Sequence, residues 1–286
     1  MPEVFGFDCY SPKQVAERVE NVGVTKANLP LLSMTALGVL AGGFIGLGAL
    51  YATVVFSDSS LSFTISRLLG GLVFSLGLIL VVVAGAELFT GNNLLVMAWV
   101  SRRISTARLL ANLGVVLVAN FIGAAGLAWL VSLSGHANMN GGALGKTAIA
   151  IATAKCALPF AEAFFKGVLC NLLVCLAVWI ALAGRTVTDK ILAILFPISA
   201  FVAAGFEHSV ANMYFIPLGL FLSDGSVASA LSWAGFLHHL LPVTLGNLVG
   251  GALLVGLVYW VIYRRPAPGA SALSNATKTQ QRNSPP

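Results

Sequence analysis

The chain has 286 residues, of which 58% are apolar and only 9% charged. Its mean hydropathy is +0.91. A soluble domain carries about 25% charged residues, so this chain cannot wet its own surface, which excludes a cytosolic enzyme, a nucleic-acid module and a disordered tail protein. The net charge of +6 does not point to nucleic acid, because the positive residues sit in short loops and not on one face.

Residues 1–28 form a mixed-charge arm with no apolar run before residue 29, so no cleaved signal peptide is expected. Ser11, Pro12 and Gln14 read as a capping box with proline at the first helical position. Val15, Val19 and Val22 recur at helical spacing, and Gly23 can end the helix. The arm is expected to lie as a short interfacial helix on the cytoplasmic membrane surface. A movable lid under a pore is the sharper alternative.

From residue 29 to 263 the charges are so sparse that long uncharged runs follow one another. A helix needs about 20 apolar residues to cross the bilayer core. Six spans result, near 29–56, 68–99, 109–133, 160–183, 191–222 and 236–263, and the expected fold is an all-α membrane protein. Spans two and five are long for one simple helix, and each carries a carboxylate near its middle, Glu87 and Glu207. With both termini inside, 12 of the 16 Lys and Arg residues are cytoplasmic, while Arg67, Lys146 and Lys155 are outside and Lys166 lies within span four. The tail, 265–286, is rich in Pro, Ser, Ala, Asn and Gln and is expected to be disordered. Of the four cysteines, three lie in or beside apolar runs without a CxxC pair, as small buried hydrophobes do.

The centres of spans two and five match. Gly85, Glu87 and Asn92 fall 120 residues before Gly205, Glu207 and Asn212. Asn120 and Gly123 of span three likewise match Asn247 and Gly250 of span six. Three spans separate the halves, about 29–135 and 156–264, so the second is expected to be inverted. A carboxylate at the bilayer centre costs at least about 2.5–3.5 kcal/mol, and irregular backbone survives there only inside protein or beside a cavity. Both spans should therefore be broken, with Glu87 and Glu207 accepting hydrogen bonds from freed backbone N–H groups. Gly38, Gly42 and Gly46, and Gly246 and Gly250, mark close helix crossings.

His208 is the leading functional candidate, since an intramembrane histidine is a functional hypothesis by default. Thr90 and Asn171 can donate to an anion, or can cap a broken helix or bridge two helices. Lys155, just before span four, would concentrate anions if it stood over a pore. Glu162 and Lys166 read as an ion pair one helical turn apart. Phe74, Leu78, Leu88, Phe89, Val174 and Phe201 are packing residues that could form dry constrictions. No HExxH run or nucleophile elbow supports a membrane enzyme, and no metal or cofactor is expected.

Phe-Ser-Leu-Gly-Leu-Ile-Leu at 74–80, Ala-Glu-Leu-Phe-Thr-Gly-Asn at 86–92, Cys-Asn-Leu-Leu-Val-Cys-Leu-Ala-Val-Trp at 170–179 and Gly-Phe-Glu-His-Ser-Val-Ala-Asn-Met at 205–213 resemble the formate/nitrite transporter family. Leu-Pro-Val-Thr-Leu-Gly-Asn at 241–247 and Tyr-Trp-Val-Ile-Tyr at 259–263 are most like its formate channel branch. The resemblance implies an aquaporin-like protomer in a homopentamer, with one pore each, in a bacterial cytoplasmic membrane. It implies that His208 and Thr90 contact the solute, that Lys155 and Asn171 draw the anion in, and that Glu207 stands beside the histidine. It further implies that Phe74, Leu78, Leu88, Phe89, Val174 and Phe201 form the constrictions, and that the helix around 12–23 gates the inner mouth. Glu87 and Gly91 look more like the nitrite or hydrosulfide branches. The expected solute is thus formate or, as the alternative, nitrite or hydrosulfide, crossing in neutral form after His208 donates a proton or strong hydrogen bond, with Glu207 and Thr90 orienting the ring.

Overall fold

The computed structural model describes residues 9–223 and 230–265. The expected tail falls outside them from residue 266 onward. Among the described residues every regular element is helical, and six helical segments are long and apolar enough to cross a membrane.

The arm helix α1, Pro12–Ala27, starts with the capping box read from the sequence: Ser11 accepts from the Gln14 N–H, and the Gln14 side chain accepts from the Ser11 N–H. It runs past Gly23 to Ala27, and its buried face is Val15, Ala16, Val19, Glu20, Gly23 and Ala27. That face packs on protein, not on a membrane surface as the first expectation had it. Glu20 is 1% exposed. It accepts from Ser101 Oγ at 2.7 Å and from Arg264 at 3.0 Å, and this bond holds the Arg264 guanidinium above its ordinary range.

The first half continues with α2, Leu31–Phe56, and α3, Phe63–Gly85, whose last turn is π-helical. The chain breaks and resumes as α4, 89–100, then crosses again as α5, Thr106–Leu133. The second half begins with α6, Ala143–Cys156, which the spans read from sequence did not contain. α7, Phe160–Ala183, and α8, Val187–Ala204, follow. A second break leads into α9, Ser209–Leu222, and α10, Trp233–Tyr263, closes the bundle.

α2 crosses α5 and α7 crosses α10 as the tightest helix pairs. A Cβ added at Gly42 would run into the Asn120 carbonyl oxygen, and one at Gly250 into that of Val168. Small residues let these backbones touch. α9 occupies the centre: every residue from Ser209 to Gly219 is buried. The outer faces are apolar, with Leu32 83%, Phe63 80% and Phe196 78% exposed. Lipid or another protein, not water, is the environment such faces suit.

The two halves share features in matching order. Lys26 and Pro30 at the end of α1 stand where Lys155 and Pro159 stand at the end of α6, in the runs Lys-Ala-Asn-Leu-Pro and Lys-Cys-Ala-Leu-Pro. α6 is therefore the counterpart of α1.

Candidate functional site: a buried histidine between two helix breaks

Both breaks are built alike. α3 ends at Gly85 with φ +87° and α8 at Gly205 with φ +73°. This left-handed conformation is what glycine supplies at a helix C-terminus. Ala86 and Leu88, and His208 in the second break, are extended. The next half-helices start at Phe89 and Ser209.

Two asparagines hold these breaks. Asn120 donates to the carbonyls of Gly38 at 2.8 Å and Glu87 at 2.9 Å, and accepts from the Phe89 N–H at 2.9 Å. Asn247 donates to Gly167 at 2.8 Å and Glu207 at 3.0 Å, and accepts from the Ser209 N–H at 2.9 Å. Each amide bridges three backbone groups that lipid could not satisfy. Both residues stand in the sequence as a repeated Asn-x-x-Gly, and they, not the carboxylates, take the backbone groups of the breaks.

Glu87 and Glu207 do something else. Their side chains do not take the freed N–H groups; each joins a lysine and an asparagine. Glu87 Oε1 lies 2.9 Å from Lys26 Nζ, and its Oε2 accepts from Asn92 Nδ2 at 2.7 Å. Asn92 also accepts from Lys26 at 2.9 Å and donates to Asn112 at 2.9 Å. Glu207 Oε2 lies 2.7 Å from Lys155 Nζ and accepts from Asn212 Nδ2 at 2.8 Å. His239 takes the place that Asn112 holds in the first cluster: its Nε2 is 2.9 Å from Asn212 Nδ2 and 3.4 Å from Glu207 Oε2. Both carboxylates are about 95% buried, and a charge in such a place needs a partner.

His208 stands between the two clusters and is 2% exposed. Its Nδ1 accepts from the Ala211 N–H at 3.1 Å, capping α9. The proton of the neutral ring is thereby assigned to Nε2, which faces Thr90 Oγ1 at 3.0 Å. Phe201 stacks on the ring at 5.9 Å, and Phe74 meets Phe201 edge-on at 5.6 Å. The ring is oriented by Ala211, Thr90 and Phe201; Glu207 turns instead to Lys155, Asn212 and His239.

Two candidates occupy different surroundings from those expected. Asn171 donates to the carbonyls of Thr90 at 3.2 Å and Asn247 at 2.6 Å, so both its N–H groups bridge helices. Cys175 also donates to the Thr90 carbonyl, at 3.3 Å. Lys155 is not a free loop lysine: it ends α6, is paired with Glu207, and has the Phe215 ring 5.4 Å away.

The six apolar candidates are all buried in one core cluster. Leu78 and Leu88 line a cavity of about 660 Å³ beneath α1, whose wall also holds Lys26, Gly85, Glu87 and Asn92. Phe74 and Phe201 sit with the histidine, while Phe89 and Val174 are core side chains outside that wall. Among the described residues no cluster of three His, Cys, Asp or Glu could hold a metal.

Lys26, Asn112, Asn120, Asn247 and His239 are site residues that lie outside the set expected from the sequence. The signals were the Lys-x-x-x-Pro pair and the repeated asparagines. The register that pairs Asn120 with Asn247 pairs Asn112 with His239 and not with its exposed neighbour His238.

The pattern of the formate/nitrite transporter family matches residues 13–261. The uncharacterized transporter YrhG of Bacillus subtilis (strain 168) is 42% identical over 256 residues, covering 89% of this chain and 94% of that protein. Formate channel FocA of Escherichia coli (strain K12) is 41% identical over 276 residues, covering 91% and 96%. Among solved structures, a pentameric formate channel with formate bound aligns with a TM-score of 0.75 and 35% identity over 82% of this chain and 98% of that one. An FNT family ion channel aligns with a TM-score of 0.79 and 34% identity over 88% and 99%. With six apolar spans around two helix breaks and kinship along nearly its whole length, the chain belongs to the formate/nitrite transporter family.

Proposed function

We propose that this protein passes a small monovalent weak-acid anion, formate first, through a pore beside His208, with movement linked to a proton. The protomers form a homopentamer in a bacterial cytoplasmic membrane, the halves are inverted repeats, and both termini are cytoplasmic. The α1 side is then the inner mouth and the α6 side the outer. The kinship with formate channels supports the solute and the assembly, and the charge bias of the loops supports the orientation.

The observation that carries the reading is the Nε2–H of His208 directed at Thr90 Oγ1. A bare anion pays several kcal/mol to pass the apolar walls made by Leu78, Leu88, Phe74 and Phe201, and a neutral acid far less. With the ring proton engaging its oxygen, the Thr90 hydroxyl is free to donate onward to a solute. Proton loss from the neutral ring would leave an imidazolate. Full transfer therefore requires the ring to release the Ala211 N–H and take a second proton first. Lys155 on the outer side, paired with Glu207, is the cation placed to meet an arriving anion.

Proteoliposome flux tests this. His208→Phe, checked to remain pentameric, should lower formate-driven lumen acidification by about 100-fold or more. Acidification at the wild-type rate would refute the relay. Competition among formate, nitrite and hydrosulfide ranks the solutes; preference for nitrite or hydrosulfide would follow the Glu-Leu-Phe-Thr-Gly run at 87–91 instead.

A further inference from the structure

His239 is a buried histidine that this mechanism does not use. Its side chain is fully buried, and its Nδ1 has no hydrogen-bond partner among the described residues; neither has Asn212 Oδ1 beside it. In the Glu87 cluster, Asn92 Oδ1 is satisfied by Lys26 and the lysine and asparagine bind different carboxylate oxygens. In the Glu207 cluster, Lys155, Asn212 and His239 all converge on one oxygen, Oε2.

We propose that His239 is a positioning residue that binds a proton and thereby strengthens anion capture at the Lys155 entrance. As drawn by the hydrogen bonds, the neutral ring accepts from Asn212 at Nε2 and holds its proton on Nδ1. A second proton, taken from water at the outer mouth, goes to Nε2, which then no longer accepts from Asn212 Nδ2, so that hydrogen bond breaks and the amide turns away. The new N–H points at Glu207 Oε2, 3.4 Å away, and competes with the Lys155 ammonium for that oxygen. The cluster passes from neutral, one lysine against one glutamate, to a single positive charge. A buried net charge of +1 is relieved by a monovalent anion, so proton and anion bind together, each raising the affinity for the other. Histidine is the side chain suited to change charge between about pH 5 and 8.

The groups around it are few. Glu207 and Lys155 are in the cluster, and His208 faces Thr90. On the helices packed against α10, Lys166 of α7 is paired with Glu162 at 2.6 Å, and Cys170 of α7, Cys156 of α6 and Tyr214 of α9 are buried and uncharged as thiols and phenol. Lys155 and Glu207, with the Arg67 guanidinium that acts electrostatically on Glu207 from the Val202 and Ala203 carbonyls, set the local charge that His239 answers.

The proposal rests on the anion-channel reading, so two readouts separate them. In proteoliposomes with the interior buffered, the wild-type KM for formate should fall about 5- to 10-fold from pH 8 to pH 6 outside, a coupling of ordinary size. H239N places there the amide that Asn112 supplies in the other half, and its KM should stay near the high-pH wild-type value throughout. An H239N profile that follows the wild type overturns the proposal; a purely structural role would change yield or Vmax equally at each pH. Independently, the imidazole nitrogens of 15N-histidine-labelled protein in nanodiscs report protonation without any flux. The His239 signals are identified by their loss in H239N or, should that variant not fold, by elimination with H136Q, H208N and H238Q. They should change with external pH and respond to added formate. Fixed signals overturn the proposal even if formate flux is normal. Absent formate flux in wild type, with His239 titrating and answering nitrite, overturns only the choice of solute.

Discussion

The two buried glutamate clusters begin from the same plan and differ in one residue. At Glu87 a lysine, an asparagine and a second asparagine satisfy one another, with Lys26 serving Glu87 and Asn92 together. At Glu207 the second asparagine becomes His239; Lys155 and Asn212 both meet one oxygen, with the His239 ring nitrogen 3.4 Å from it, while two polar atoms stay unpaired among the described residues. The first arrangement is a closed circuit, suited to fastening α1 beneath the cavity. The second leaves an imidazole N–H and an amide oxygen without partners among the described residues. A repeated scaffold thus carries a latch at one end and a titratable gatepost at the other, and a single amide-to-imidazole exchange separates them.

That contrast can be broken most forcefully at the glutamates. Glu87→Gln and Glu207→Gln each strand a lysine, and breaking a buried pair costs about 3–5 kcal/mol. Both should lower the unfolding temperature of the pentamer in detergent. Glu207→Gln should in addition free Lys155, so its flux should lose pH dependence, whereas Glu87→Gln should loosen α1 and speed proteolysis of the arm. Next come Asn120→Ala and Asn247→Ala, which orphan three backbone groups each at about 1–3 kcal/mol for a group left unsatisfied; equal losses of thermal stability are expected, because these two sites are matched. Gly85→Ala and Gly205→Ala follow, at about 1–2 kcal/mol for a left-handed alanine. Here the halves should part: the added Cβ at Gly205 meets the Arg67 guanidinium at 3.0 Å, while at Gly85 it meets open space. Smallest is Glu162→Gln, which removes a half-exposed surface pair and should shift stability by about 1 kcal/mol or less.

Much of this was legible in the sequence because the membrane punishes polar atoms. Six spans and two breaks follow from polar residues placed where they are costly. The same logic failed where polarity was cheap or ambiguous. α6 carries two lysines and small residues at an interface, so no hydropathy signal announces it, although the Lys155–Pro159 spacing copies Lys26–Pro30. Lys26 read as one more positive charge of an inner loop. Asn171 read as a donor for solute because a sequence does not show that the carbonyls of Thr90 and Asn247 are already waiting for it. Glu87 and Glu207 were given the backbone N–H groups, yet a carboxylate already held by a lysine is better placed one turn away, and the neutral amide fits three backbone partners at once.

One nitrogen of His208 has two employers. Nδ1 is the first-turn cap of α9 and, through the tautomer it enforces, the reason the opposite nitrogen carries the proton. Replacing the ring by an aromatic hydrocarbon therefore removes a helix cap and a donor in the same stroke, whereas asparagine, a strong capping residue, keeps the first and discards only the second. Few side chains can replace this buried donor without also unscrewing the start of the helix behind it.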